Sequence, residues 1–150
     1  MGEETIRQAR PGDVPMIVAL LADDDVGAGR ESPDDLAPYA RAFALIDADP
    51  SEYLVVAEVD GEIVGTLQLS LLPGMSRRGG LRAQVEGVRI ARSHRRLGLG
   101  ETLLRWAVEE ARARGCALIQ LTTDKTRADA RRFYDRLGFT PSHEGYKRQL

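Results

Sequence analysis

The chain carries one cysteine, Cys116, in 150 residues. A lone cysteine forbids an internal disulfide, so packing must hold the core, and a reducing cytoplasm is the expected setting. Cys116 follows Gly115 and opens an apolar run, which reads as a buried structural position. Histidine is as scarce: His94 and His143 stand apart, no His/Cys cluster has metal-ligand spacing, and no metal is expected. Aromatic residues make up only 5% of the chain. No apolar run reaches about 18 residues, so no membrane-spanning helix is expected. The acidic start, Met1-Gly2-Glu3-Glu4-Thr5, has no apolar segment behind it and is not read as a secretory signal.

What is present is ordinary for a folded domain: 43% hydrophobic and 29% charged residues, with a net charge of −2. One domain over residues 1–150 is expected from this length. The charge is unevenly spread. Arg77, Arg78, Arg82, Arg89, Arg92, Arg95 and Arg96 share their stretch with a single acid, Glu86, whereas Asp23-Asp24-Asp25 and Asp34-Asp35 lie in the N-terminal third. A basic stretch can mark a nucleic-acid surface. Here no aromatic side chains are interleaved and the chain as a whole is acidic, so a local anion site for a small ligand is favoured and no nucleic acid is expected.

Periodicity places the elements. Thr5–Ala9 reads as a strand. Asp13 is a candidate N-cap for a helix with the stripe Val14, Ile17, Leu20 and Leu21. A second helix follows Asp34 or Asp35, with Leu36, Tyr39, Ala40, Phe43 and Ile46 on one face. Strands are expected at Tyr53–Val59 and Ile63–Leu72, joined at Asp60-Gly61 as a hairpin, and at Arg82–Ile90. A helix after Gly100 buries Leu103, Leu104, Ala107, Val108 and Ala111. Strand Ala117–Thr122 and helix Ala128–Leu137 come next, with Gly138 as a left-handed C-cap, and Tyr146–Leu150 reads as a closing strand. The implied class is α/β (α+β), a mixed, mostly antiparallel central sheet flanked by helices.

The segment Arg95-Arg96-Leu97-Gly98-Leu99-Gly100 lies between a strand and a helix. The first N–H groups of a helix lack internal partners and sit at the positive end of its dipole, so this junction is suited to an anion. It is a poor P-loop: Glu101-Thr102 follows Gly100 where Lys-Ser/Thr is required, and Arg95 replaces the first glycine. It is a poor dinucleotide fingerprint, because Leu103 replaces the third glycine. The pattern [QR]-x-x-G-x-[GA] fits, through Arg95, Gly98 and Gly100. This resembles the acetyl-CoA pyrophosphate loop of the GNAT N-acetyltransferase superfamily. Two further signatures follow in that family's order: Glu86 and Ile90 before the loop, and Ala130-Arg131-Arg132-Phe133-Tyr134-Asp135-Arg136-Leu137-Gly138-Phe139 after it. Together they span nearly the whole chain.

The resemblance implies the GNAT acyl-CoA N-acyltransferase fold, with acetyl-CoA as co-substrate, a primary amine of a small molecule as acceptor, and an assembly that is often a homodimer. Pantetheine would pair with backbone at Val88, Arg89 and Ile90. Arg95, Arg96, Leu97, Gly98, Leu99, Gly100, Glu101 and Thr102 would hold the pyrophosphate. Glu86 alternates with Val88 and Ile90, so an apolar strand face and a raised pKa are expected for it, which suits a general base; an ion pair with Arg82 or Arg89 is the structural alternative. Tyr134 is placed to protonate the leaving thiolate, or else is a core aromatic. Arg127 stands where many family members have asparagine, so a phosphate contact or a solvated helix start is open. Arg30, Tyr39, Arg77 and Arg78 are candidate acceptor contacts. A non-catalytic acyl-CoA sensor on the same fold is the alternative function.

Overall fold

The computed structural model describes residues 3–150. Five strands form one sheet in chain order: β1 (Glu4–Gln8), β2 (Glu52–Val59), β3 (Glu62–Leu72), β4 (Arg82–Ile90) and β5 (Leu118–Leu121). The first four pair antiparallel, and β4 and β5 pair parallel. This is the mixed α+β architecture expected. The β2–β3 hairpin turns at Asp60 and Gly61, whose φ values of 52° and 81° give the left-handed pair that a tight hairpin needs.

Helices α1 (Val14–Ala22), α2 (Asp25–Ala28) and α3 (Ala37–Ala48) follow β1; a single turn, α4 (Ser76–Gly79), joins β3 to β4; α5 (Leu99–Ala113) joins β4 to β5; and α6 (Ala128–Arg136) follows β5. Strand alternation sends Val55, Leu67, Leu69, Ala83 and Val85 to one face, where α5 buries Leu103, Leu104, Ala107 and Ala111 against them. The other face carries Val56 and Leu54, covered by Ile17 of α1 and Phe43 of α3. Two apolar layers therefore sandwich the sheet, each supplied by a helix stripe legible in the sequence. Gly138 takes φ of +90° and its N–H donates to the Asp135 carbonyl at 3.1 Å, closing α6 as expected.

Three expectations are corrected. Tyr146–Leu150 is not a strand; residues beyond Thr140 are irregular and exposed. That stretch has few apolar side chains to bury, and among the described residues no hydrogen bond joins it to β5. Asp13 precedes α1 but does not cap it with its side chain; its carboxylate takes the Arg10 N–H at 2.7 Å and the Arg7 guanidinium at 2.7 Å. The third correction concerns β4. Gln68 pairs with Glu86 and Thr66 with Arg89, so three steps on β4 match two on β3. The extra residue makes a β-bulge at Gly87, which has φ of +62°.

Candidate active site

The bulge decides what each part of β4 faces. Before it, Ala83 and Val85 point at α5; after it, Val88 and Ile90 still pack on that side, because one extra residue has been inserted. Glu86 therefore does not share a face with Val88 and Ile90. It lies opposite them, exposed, in the wall of a pocket of about 150 Å³ between the sheet and helices α1 and α3. The expected apolar neighbours Val88 and Ile90 lie on the other face, and the carboxylate instead borders the largely apolar wall that α1 and α3 supply. Leu21, Tyr39, Phe43, Thr66, Gln68 and Gly87 line the same pocket. The Gln84 amide donates to Glu86 Oε1 at 2.9 Å, and Gln120 on β5 donates to Gln84 at 2.9 Å. This chain of amides fixes the carboxylate from the neighbouring strand. Gln84 and Gln120 were not singled out in the sequence, although Gln84 sits two residues from Glu86 and so shares its face.

On the other side of β4 the sheet opens. β4 and β5 pair only from Arg82 to Val85, opposite Leu118 to Leu121, so the β5-side edge of β4 from Glu86 to Ile90 has no strand partner among the described residues. That open edge leads into the glycine loop. Gly98 is the N-cap of α5 with φ of +84°, a left-handed conformation natural to glycine. The N–H groups of Gly98, Leu99, Gly100 and Glu101 meet no main-chain acceptor among the described residues; the Thr102 N–H is satisfied by the Gly98 carbonyl at 3.0 Å. The Thr102 hydroxyl donates to that same carbonyl at 3.1 Å, so its hydrogen is committed within the turn. Arg95 is likewise engaged: its Nε donates to the Ile90 carbonyl at 3.0 Å, tying the loop back to β4. Arg96, exposed and with φ of 65°, is the guanidinium that stands clear. A Cβ on Gly100 would sit in ordinary contact with Phe133 of α6, at 3.4 Å.

Tyr134 packs edge-on against Phe133 and Phe139, with ring centroids 5.3 and 5.9 Å away. Burial pushes its phenol above the usual value of 10, and the charges of Arg89 and Arg127 oppose that shift. The hydroxyl thus keeps its proton through neutral pH.

The acidic triplet turns out to face the basic stretch. Asp23 meets Arg92 at 3.1 Å and Arg95 at 3.9 Å. Asp24 Oδ2 meets Arg127 at 2.8 Å and Arg89 at 3.5 Å, and Asp24 Oδ1 caps α2 by accepting the Gly27 N–H. Burial disfavours the ionised Asp24, but the Gly27 hydrogen bond and the two guanidiniums outweigh it and hold the carboxyl below its usual range. Arg127 is therefore directed at Asp24, a third arrangement beside the two left open by the sequence. Tyr39 lines the pocket and donates its hydroxyl to Glu31 at 2.9 Å; Arg30, 3.6 Å from Glu31, is not itself a lining residue. Arg77 and Arg78 are not brought to it. They occupy α4 in left-handed conformations, at the opposite end of β4 from the glycine loop. Cys116 is half-buried and burial pushes its thiol up, which fits an inert packing role. No group of three metal-ligating side chains occurs among the described residues, and no helix is long and apolar enough to cross a membrane.

A short parallel partner that leaves the end of β4 unpaired beside an anion-ready helix start, with a pocket across the strand, suits a two-substrate acyl-transfer scaffold. The model of the acetyltransferase (GNAT) family matches residues 15–139. The chain belongs to the GNAT acetyltransferase family, whose co-substrate is acetyl-CoA. It is 31% identical over 116 residues to an aminoalkylphosphonate N-acetyltransferase of Salmonella typhimurium, an alignment covering 77% of this chain and 75% of that one. It is 27% identical to a streptothricin acetyltransferase of Streptomyces lavendulae, covering 86% of this chain and 59% of the relative. Among solved structures, a transcriptional regulator from Bacillus halodurans C-125 superposes with a TM-score of 0.94 at 47% identity, covering 99% of this chain and 100% of that one. A putative acetyltransferase from Agrobacterium tumefaciens gives a TM-score of 0.85 at 27% identity, with 97% and 99% covered.

Proposed function

We propose that this chain moves the acetyl group of acetyl-CoA to a primary amine of a small molecule, by direct attack within a ternary complex. The observation that carries the reading is the double use of β4: its open edge runs into the glycine loop, while its other face presents Glu86 to the pocket. The donor would lie along Val88–Ile90, with its pyrophosphate on the free N–H groups of residues 98–101 and Arg96 beside it. The amine would enter between α1 and α3. Glu86, held by Gln84, would take its proton directly or through one water. Attack on the thioester carbon forms the amide and expels the CoA thiolate, and Tyr134 would supply the thiolate's proton. The relatives named for aminoalkylphosphonate and streptothricin acetylation support a small acceptor over a protein. A cytoplasmic homodimer is part of the same reading.

A second reading has one observation in its favour, the 47% identity to a protein described as a transcriptional regulator. In that reading the fold binds acyl-CoA without turnover and Glu86 and Tyr134 are structural. Thiol release from acetyl-CoA across a panel of amines separates the two. Turnover on any amine, lowered about 10²–10⁴-fold by Tyr134→Phe and by Glu86→Gln, is the expected result. Undiminished turnover in both variants would overturn the assigned roles, and acetyl-CoA binding with no release on any amine would favour the sensor.

A further inference from the structure

The arginines around Asp24 are short of negative charge. Arg89 and Arg127 share a single carboxylate oxygen, Asp24 Oδ2, while Asp24 Oδ1 is occupied by the Gly27 N–H. Of the five N–H donors on the Arg89 guanidinium, one reaches a partner, the Val88 carbonyl at 2.9 Å. Its buried Nε lies 3.5 Å from Asp24 Oδ2 but makes no hydrogen bond to it, in a side chain only 12% exposed. The positive charges of Arg127 and Arg30 both bear on it. A buried guanidinium with one unmet donor and like-charged neighbours is costly, and an oxyanion, which accepts from planar N–H forks in pairs, is the group that relieves it.

These arginines do not line the pocket, but Arg89 shares a face of β4 with the pocket's Glu86. Arg89 and Glu86 leave the same face of β4, because their partners Thr66 and Gln68 are two residues apart on β3. The spacing on that face is about 7 Å at 3.3 Å per residue. Leu21, at the end of α1, packs over the bulge between them, 3.5 Å from where a Gly87 Cβ would be. Three residues after Leu21 comes Asp24. Tyr134, the proposed acid, feels the charges of the same two arginines.

We infer that Arg89 and Arg127, with Arg30 at the rim, form a recognition site for an oxyanionic group on the acceptor, so that the substrate is a short amine bearing a carboxylate, phosphate or phosphonate. The amine lies at Glu86 and the anion at Arg89, which limits the linker to a few bonds. Binding the anion there also orients the nitrogen along the open edge of β4.

The inference rests on the proposed transferase reading for its kinetics but not for its binding arm. The CoA-loaded protein is titrated calorimetrically with 2-aminoethylphosphonate, β-alanine and n-propylamine. The two anionic amines are expected to bind at least about tenfold more tightly than propylamine, the least that one charge-assisted hydrogen bond supplies. Arg127→Gln and Arg89→Gln are expected to bring that ratio towards one; Arg127→Gln lies at a helix start and serves if Arg89→Gln does not fold. Equal binding of propylamine by the native protein would overturn the inference, as would variants whose loss of affinity falls equally on CoA, since the arginines would then serve the donor. Acetyl transfer to neutral and anionic amines at equal kcat/KM would leave the transferase standing and remove the anion site. A clear preference in binding with no transfer to any amine would do the reverse.

Discussion

Two ion clusters of similar burial sit in this molecule with opposite stoichiometry. Near β1, one guanidinium serves two carboxylates: Arg7 meets Asp13 at 2.7 Å and Glu58 at 2.6 Å, with the three side chains 19%, 11% and 24% exposed. Near β4, one carboxylate serves two guanidiniums, Asp24 with Arg89 and Arg127, at 24%, 12% and 23% exposed. The first cluster is closed. The Arg7 fork lies against both acids, the Asp13 carboxyl is held below its usual range chiefly by Arg7, and Arg7 itself is raised, above all by Asp13. The second is open: Arg89 Nε, 3.5 Å from Asp24 Oδ2, makes no hydrogen bond. A closed cluster ties β1, β2 and the turn before α1 together. An open one keeps capacity for something else, and its Arg89 shares a face of β4 with Glu86.

The largest effect expected from breaking this contrast is in stability. Arg7→Gln strands two half-buried carboxylates and is expected to cost about 2 kcal/mol in chemical denaturation, between the limits for exposed and buried pairs. Its acetyl-CoA affinity should be that of the native chain. A loss below about 0.5 kcal/mol, the range of ordinary surface substitutions, would deny the closed cluster its structural role. Next comes the glycine loop. Gly98→Ala forces a Cβ into a left-handed turn and is expected to cost about 1 kcal/mol, with weaker acetyl-CoA binding. Gly100→Ala meets only ordinary contact with Phe133 and should be nearly neutral in stability. Equal costs at the two positions would show that backbone conformation is not what selects glycine at 98. Smaller still is Arg127→Gln. Removing one of two guanidiniums that share an oxygen relieves like-charge repulsion, so thermal denaturation should register less than about 0.5 kcal/mol. A loss as large as that of Arg7→Gln would make the two clusters equivalent.

Acid joins the two clusters. Asp13 and Asp24 both ionise more readily in the folded chain than at the ordinary aspartate value of 3.8. Each depressed carboxyl contributes stability that is complete above that value and is lost as pH falls through the folded-state pKa. Stability measured from pH 5 downwards should therefore decline below about pH 4, and Asp13→Asn should flatten part of that slope. At the alkaline end the sign reverses. Burial raises the Tyr134 phenol above 10, so a kcat limb belonging to the proposed acid should lie beyond pH 10. An alkaline limb near neutral pH that vanishes in Tyr134→Phe would contradict the placement of that phenol.

Much of this was legible from local pattern. The α5 stripe, the Asp60-Gly61 hairpin and the Gly98 turn each depend on neighbours within a few residues, and each appears where periodicity and turn chemistry put it, except that Val108 of the stripe is only half-buried and lies outside the core, while Leu99 is buried. The orientation of Glu86 was not, because a single inserted residue reverses a strand's faces. The signal was present in Gly87, an isolated glycine inside a strand, which is the usual mark of a bulge. The closing strand failed for the opposite reason: a tail with two large apolar side chains, Tyr146 and Leu150, has too little to bury. The arginine cluster lay furthest from sequence view. Asp24, Arg89 and Arg127 belong to α1–α2, β4 and the start of α6, and only the folded sheet brings them together.

That last feature bears on how the molecule assembles. Asp23 bonds to Arg92 and Arg95 across separations of 69 and 72 residues. Contacts that close such long loops are repaid only after most of the chain is ordered. They are also partly exposed ion pairs, each weak alone. The turn after α1 should thus be the last piece to dock during folding and among the first to let go. Amide hydrogens of residues 23–31 should exchange through local opening well below the global unfolding free energy, while those of β3 and α5 wait for the whole chain to unfold.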